Sequence, residues 1–384
     1  MVKLNLNTFK KYDGFLKPII SKGLDDNLRE SLYLDFNKSR AYFFGDEDMG
    51  IEGVFNFTFE TDEEITPENF AVYVDKIFVL ASKYDSLEIR DGIFYDDKDN
   101  KFDIQTNFNE EVYELLDFDN LEVDTFEEVV LDNGIDIYEE LSNALEYADP
   151  YTFSNKHGVF FKDNLVCAIT QDTIAYLSKL DIKSPNISIF NDLCRYILKS
   201  KGQDIKLYKE TLKKQISDYT KEYVYYYVYL DDDFIMRVQN NINLHLEDEV
   251  SYEFFANKIN ATVKVNASDL DSTLSFLERL YLKSSVYKFI YMIVEDGNLT
   301  FKIDMDGLQA ENSIPIIDSM NVENYKSYLS IEHLKKAIRF LKGEKEVSIG
   351  FFIDEENEDS INLVYFINKD NDKMTIIYEL DESN

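Results

Sequence analysis

Tryptophan is absent from this 384-residue chain, and cysteine (2), histidine (3) and proline (5) are scarce. Cys167 and Cys194, each in an apolar stretch, make no disulfide framework and read as reduced, buried thiols. Five prolines leave no proline-rich linker. His157, His245 and His333 are scattered, with neither HExxH nor a Cys/His ligand spacing, which argues against zinc. No GxxxxGKS/T is present, no GxGxxG follows a strand, and GxSxG is missing, so neither nucleotide binding nor a nucleophilic serine is expected. No cofactor is expected either. The opening MVKLNLNTFKKYDGF lacks an uninterrupted apolar core, and no apolar run nears the roughly 20 residues that span a bilayer. A cytoplasmic protein is the expectation.

Positive charge is also short: 40 Lys and Arg stand against 75 Asp and Glu, a net charge of −35. Such a surface is well solvated and repels non-specific contacts. It does not exclude nucleic acid, because steering depends on the field over one face rather than on the total. The positions of the few cations therefore carry information.

Apolar residues make up 45% of the chain and aromatics 15%, which excludes wholesale disorder. The aromatics are 27 Tyr and 29 Phe, types that strands favour. A unit recurs at separated places: an amphipathic helix, a Lys/Gly break, then an alternating strand. Phe70, Tyr73, Ile77 and Leu80 keep helical spacing before Leu87/Ile89. Phe190, Leu193 and Ile197 precede Lys199-Ser-Lys-Gly and Ile205/Leu207. Ile331, Leu334, Ile338 and Leu341 precede Lys342-Gly343 and Val347/Ile349/Phe351. Helical period switching to period two at a constant offset marks one supersecondary unit used repeatedly. Scaffolds and rings are built this way more often than single-site enzymes are.

Read along the chain, each third holds two helices and about eight strands. The predicted helices are Thr8–Ser21, Asn69–Lys83, Ile137–Tyr147, Phe190–Lys199, Asp269–Leu282 and Ile331–Lys342. The strongest hairpin signal is Asp296-Gly297 between Phe289–Glu295 and Asn298–Asp304. The fold class is α+β: three similar domains of two helices plus antiparallel sheets, at residues 1–126, 127–255 and 256–384. Pairings are too local for a doubly wound parallel sheet.

Carboxylate clusters at Asp96-Asp97-Lys-Asp99, Asp231-Asp-Asp233 and Asp354-Glu-Glu-Asn-Glu-Asp359 are the only constellations with metal-binding potential. Each lies between two strand signals, where Asp and Asn serve turn geometry. Turns are the preferred reading.

In order and spacing, the whole chain resembles the bacterial three-domain DNA sliding clamp, the beta subunit of DNA polymerase III. Phe15-Leu-Lys-Pro18 and Ala41-Tyr-Phe-Phe-Gly-Asp-Glu-Asp-Met-Gly50-Ile-Glu-Gly-Val resemble the family's opening helix and strand-turn-strand. Lys101-Phe-Asp-Ile-Gln-Thr106 resembles the end of its first domain. His157-Gly-Val-Phe-Phe, Leu165-Val-Cys-Ala-Ile-Thr170 and Asp233-Phe-Ile-Met sit where the family has signature strands. Tyr328-Leu-Ser-Ile-Glu-His-Leu-Lys-Lys-Ala-Ile and Met374-Thr-Ile-Ile-Tyr-Glu-Leu380 resemble its final helix and terminal strand.

The resemblance implies a homodimeric head-to-tail ring around duplex DNA, helices inward and sheets outward, of bacterial or phage type and without a catalytic site. It implies a polymerase and a clamp loader as partners, recruited through short peptide motifs. Lys10, Lys11, Lys17 and Lys22, then Arg195, Lys199 and Lys201, then Lys335, Lys336, Arg339 and Lys342 would face DNA, three basic helices in an acidic chain. Contact of this kind is non-specific and suits sliding. The partner-peptide groove would use Thr170, Ile174, Leu177, Met374 and Ile376, with Lys156 at a position apolar in the family. The dimer interface would join Phe102 and Ile104 to Tyr281 and Leu282. The further run Lys206, Lys209, Lys213, Lys214 and Lys221 reads as an extended loop. Two other classes compete: an acidic DNA-mimic or inhibitor, which would be monomeric, and a metal-dependent nuclease using Asp231 and Asp233.

Overall fold

The computed structural model describes residues 2–16, 31–44, 51–61, 68–106, 118–122, 125–129, 136–151, 154–170, 173–181, 187–201, 204–216, 219–231, 233–240, 244, 246–247, 250–281, 288–305, 308–322, 324–353 and 362–380. Within them one module, a strand, a helix and three strands, occurs six times. The first is β1 (Val2–Asn5), α1 (Asn7–Leu16), β2 (Ser31–Asp35), β3 (Arg40–Phe44) and β4 (Glu52–Asn56), followed by a short β5 (Phe59–Thr61). The second is β6 (Phe70–Tyr73), α2 (Val74–Lys83), β7 (Ser86–Arg90), β8 (Ile93–Tyr95) and β9 (Lys101–Phe102), with β10 (Gln105–Thr106) after it. The third is β11 (Glu127–Val129), α3 (Ile137–Leu145), β12 (Gly158–Lys162), β13 (Leu165–Thr170) and β14 (Ile174–Lys179).

The fourth comprises β15 (Ile187–Phe190), α4 (Asn191–Lys199), β16 (Ile205–Ile216), β17 (Tyr219–Leu230) and β18 (Phe234–Asn240). A short helix, α5 (Tyr252–Ala256), leads to the fifth: β19 (Ala261–Asn266), α6 (Ala267–Leu280), β20 (Phe289–Glu295), β21 (Asn298–Met305) and β22 (Leu308–Pro315). After β23 (Asp318–Met320) the sixth runs β24 (Tyr325–Ser330), α7 (Ile331–Ala337), β25 (Glu346–Phe352), β26 (Leu363–Ile367) and β27 (Lys373–Tyr378).

Every pairing is antiparallel, and modules swap their first strands in pairs. β6 pairs with β2, not with its own β7, while β1 pairs with β7. The same exchange puts β15 on β12 and β24 on β20. Two half-sheets then fuse edge to edge where β4 meets β18, and two more where β14 meets β27. The results are sheets in the orders β10-β6-β2-β3-β4-β18-β17-β16-β11 and β15-β12-β13-β14-β27-β26-β25-β19-β23. The remaining half-sheets stay separate, as β5-β1-β7-β8-β9 and β22-β21-β20-β24.

Strand passes to helix without a loop because one residue ends the strand and caps the helix. Asn266 Oδ1 accepts from the amides of Ser268 (2.9 Å) and Asp269 (3.3 Å), and Ser330 Oγ accepts from that of His333 (3.4 Å). This junction corrects two predicted helices. Phe70 to Tyr73 is strand β6 and the helix begins at Val74; Phe190 closes β15 and the helix begins at Asn191. Their i, i+3 spacing straddles a strand end and a helix start. The predicted helix Ile331–Lys342 is α7 followed by a 3-10 turn over Arg339–Leu341. The run Lys206, Lys209, Lys213, Lys214 and Lys221 is not in a loop: the first four lie on β16 and the last on β17, paired from Ile205↔Leu230 to Ile216↔Tyr219.

The chain forms two compact units, Met1–Leu131 with Arg195–Asn243, and Asp132–Cys194 with Leu244–Asn384. The first buries an aromatic core, in which Phe9 meets Phe55 edge-on at 5.4 Å, Tyr12 meets Phe234 at 4.9 Å, and Phe15 meets Phe234 edge-on at 5.1 Å. The second is mainly aliphatic, with Cys167, Leu177, Met374 and Ile376 under Leu246, Tyr252 and Phe255.

The carboxylate clusters are turns where the structure describes them. Asp99 and Asp231 take positive φ (59° and 47°), and Asp96 Oδ1 accepts from the amides of Lys98 and Asn100, both at 2.9 Å. These bonds hold the Asp96 carboxyl down at about 2, the Asn100 side chain contributing most. The 354–359 cluster lies outside the described residues. Among those described, no group of three or more His, Cys, Asp and Glu is placed to hold a metal, and no helix is long and apolar enough to cross a membrane.

Candidate nucleic-acid interface

Helix α1 buries Phe9, Tyr12, Phe15 and Leu16, an i, i+3, i+6, i+7 stripe that turns Lys10 outward. Lys11 is exposed too, but its Nζ sits 2.5 Å from Asp231 and 5.0 Å from the Tyr12 ring centroid. The hydrogen bond to Asp231 raises the Lys11 pKa against a smaller burial effect, and lowers that of Asp231. Helix α4 buries Leu193, Cys194, Tyr196 and Ile197 and exposes Arg195 and Lys199, with Lys201 exposed just beyond. Lys17 and Lys22 lie outside the described residues.

The third basic helix is more engaged. Lys335 Nζ is 2.5 Å from Glu278 of α6, Lys336 is 3.7 Å from Glu332, and Arg339 pairs with Glu146. Lys342 is exposed. Lys335, Arg339 and Lys342 share a cleft of about 650 Å³ with Ser268 and Asp271 of α6. Of the eleven expected DNA-facing cations, Lys10, Arg195, Lys199, Lys201 and Lys342 are thus presented at the surface. Lys11, Lys335, Lys336 and Arg339 are held by carboxylates. Surface ion pairs are worth about 0–1 kcal/mol, so a phosphate can replace such a carboxylate at little cost.

The five expected groove residues do not share a face. Leu177 lies opposite Met374, and Ala175 opposite Ile376, so Leu177, Met374 and Ile376 point into the cluster beneath Leu246 and Tyr252. Ile174 and Thr170, offset by an odd number, point to the other side, where Thr170 Oγ1 donates to the Tyr147 carbonyl (2.8 Å). Ile174, Leu177, Met374 and Ile376 are all 0% exposed. Lys156, the departure from the family's apolar position, is a side chain only 11% exposed whose Nζ lies 2.5 Å from Glu247.

The expected interface residues divide similarly. Phe102 is half-buried on β9, the edge of its sheet, beside Tyr84 at 5.6 Å. Ile104, between β9 and β10, is buried, and its carbonyl accepts from the Tyr73 amide at 3.0 Å. Tyr281 is buried where it caps α6, its hydroxyl donating to the Phe289 carbonyl, and burial pushes its pKa up to about 12. Leu282 lies outside the described residues. Among the exposed large apolar residues that sequence reasoning missed are Val79 on α2 (63%) and Phe276 on α6 (50%). Both stand off the buried stripes of their helices (Ile77, Phe78, Leu80 and Ala81; Leu270, Leu274 and Leu277), and that offset was the available signal.

No protein-family model matches the sequence, and no curated protein matches it significantly. Solved structures do match its fold. The beta sliding clamp of C. crescentus superposes with a TM-score of 0.70 at 13% identity, covering 99% of each chain. DNA polymerase III subunit beta of Borrelia burgdorferi gives 0.69 at 13%, again over 99% of each. The Helicobacter pylori beta clamp bound to a DNA ligase peptide gives 0.66 at 12%, over 99% of this chain and all of that one. The chain has the DNA clamp fold from end to end.

Proposed function

We propose that this protein is a DNA sliding clamp: a non-enzymatic, homodimeric ring that encircles duplex DNA and tethers a polymerase and other DNA-processing proteins. Three sequential domains, 1–126, 127–255 and 256–384, each consist of two modules. The observation that carries the reading is the pattern of sheet junctions. Module one joins module four through β4 and β18, and module three joins module six through β14 and β27. By the same rule module five joins an eighth module, which is the second module of another copy. The edges required are β22 and β9, and both end their sheets among the described residues. Pairing them between two chains completes a further fused sheet in each direction and closes a two-fold ring of twelve modules.

The flanking surfaces support this closure. The end of α2 lies against β9 through Tyr84, and that helix exposes Val79; α6 lies against β22 and exposes Phe276. Lys10, Arg195, Lys199, Lys201 and Lys342 then supply a sequence-independent phosphate lining. Partner proteins, a clamp loader among them, would dock by short peptides, as the ligase peptide does on the Helicobacter pylori clamp.

Sedimentation of the full chain tests the closure, with an expected mass twice that of the chain and single-chain mass for Val79→Asp with Phe276→Asp. Protein loaded on nicked circular DNA should stay bound and be lost when the circle is linearised. A wild-type monomer at micromolar concentration would favour the acidic inhibitor instead.

A further inference from the structure

The basic run after α4 has a definite architecture. Strands β16 and β17 pair over twelve residues each, yet β11 covers only Leu207–Lys209 and β18 reaches only Val224. Beyond those points, residues 210–216 and 219–223 have only each other as sheet neighbours among the described residues. Among the described residues the fused sheet therefore continues into a two-stranded ribbon. Its strands carry five lysines (Lys206, Lys209, Lys213, Lys214 and Lys221) against Glu210 and Glu222, in a chain whose net charge is −35.

One face of β17 is a row of tyrosines at every second residue: Tyr223, Tyr225, Tyr227 and Tyr229. Tyr227 is covered by Phe126, stacked at 4.6 Å, and donates to Glu210 at 2.7 Å. Tyr223, Tyr225 and Tyr229 are partly exposed, as is Tyr208, which meets Tyr229 edge-on at 5.4 Å. By alternation Lys206, opposite Tyr229, and Arg237, opposite Tyr227, share this face, and the Arg237 guanidinium lies 5.0 Å from the Tyr225 centroid. Partly exposed aromatic rings beside the exposed Lys206 provide what unpaired bases and their phosphates need, stacking surfaces beside positive charge. Duplex DNA conceals its base faces and offers these rings nothing.

We propose that the tyrosine face of the β16–β17 ribbon is a binding site for single-stranded DNA. The inference rests on the clamp reading for its use: a ring already threaded on a primed template holds the adjoining single strand at high effective concentration, so a weak site is occupied. Lys206 takes phosphate, and Tyr223, Tyr225 and Tyr229 take bases, while Arg237 stays paired with Glu52 and supports the Tyr225 ring from beside it.

Fluorescence anisotropy of a labelled oligo-dT of about 20 nucleotides at low salt tests the site on the full chain, since single-strand sites span about 4–16 nucleotides. Tyr223→Ala with Tyr229→Ala should weaken binding at least about fivefold per ring, while Tyr223→Phe with Tyr229→Phe binds as the wild type does. Lys206→Gln should reduce the salt slope by about 0.7. Four results each overturn the site: no wild-type binding, alanine variants that bind normally, an equal loss for duplex of the same length, or full displacement by poly-glutamate, which would mark an acidic protein partner. Retention on nicked circles is measured on the same variants and should be unchanged. Its failure in the wild type would refute the clamp, whereas the oligonucleotide result alone decides the ribbon.

Discussion

The two fused sheets share strand order and differ in what crosses the seam. In the first, one of four pairs is charged, Glu52 opposite Arg237 as an ion pair, while Gly53 lies opposite Met236, Val54 opposite Ile235 and Phe55 opposite Phe234. In the second, Leu177 faces Met374 and Ala175 faces Ile376, all fully or nearly fully buried. Backbone hydrogen bonds make both seams, so side chains of opposite character are tolerated at the same topological place. The apolar seam gains stability from burial, whereas the charged seam gains a defined register and leaves its tyrosine-bearing face partly open.

The largest expected effect comes from breaking the charged seam. Arg237→Ala strands the Glu52 carboxylate, itself only 9% exposed, and should destabilise the first unit by about 3–5 kcal/mol in urea unfolding. Glu52→Leu with Arg237→Met, which gives this seam the chemistry of the other, should recover most of that loss. On the apolar seam Leu177→Ala should cost about 2–5 kcal/mol through the cavity it opens, read from the unfolding of the second unit. Gly53→Ala is a smaller perturbation. Its Cβ would come within 2.2 Å of the Phe43 ring and 2.7 Å of the Ile235 carbonyl, an overpacking cost of about 1–3 kcal/mol.

The smallest effect is at the Lys11–Asp231 pair beside the first seam. Lys11 holds the Asp231 carboxyl below its ordinary 3.8, so the stabilisation is present above that pH and is lost as the pH falls through the lowered value. Lys11→Met should flatten this acid limb by less than about 1 kcal/mol, read as the pH dependence of thermal unfolding.

Local chemistry was the legible part of the fold. Asp296-Gly297 takes φ of 50° and 74° and closes β20 onto β21 as its turn type requires. Phe70 and Tyr73 misled because an apolar i, i+3 pair looks the same within a helix as across a strand end. Reading the lysine run as a loop failed because alternating tyrosines continue a strand that charge alone argues against. For the candidate site, helical spacing places Lys10, Arg195 and Lys199 opposite the buried stripes. It did not separate Thr170 and Ile174 from Leu177, since the face of a strand residue depends on its register with a partner some 200 positions away.

Periodicity, turn residues and capping side chains dictated the module itself, because each acts within a few residues along the chain. Which half-sheets fuse, which edges stay open and which lysines are already held by a carboxylate were decided only on folding. Edge strands join through N–H and C=O groups that every residue carries alike, and so the choice of partner leaves almost no trace in local sequence.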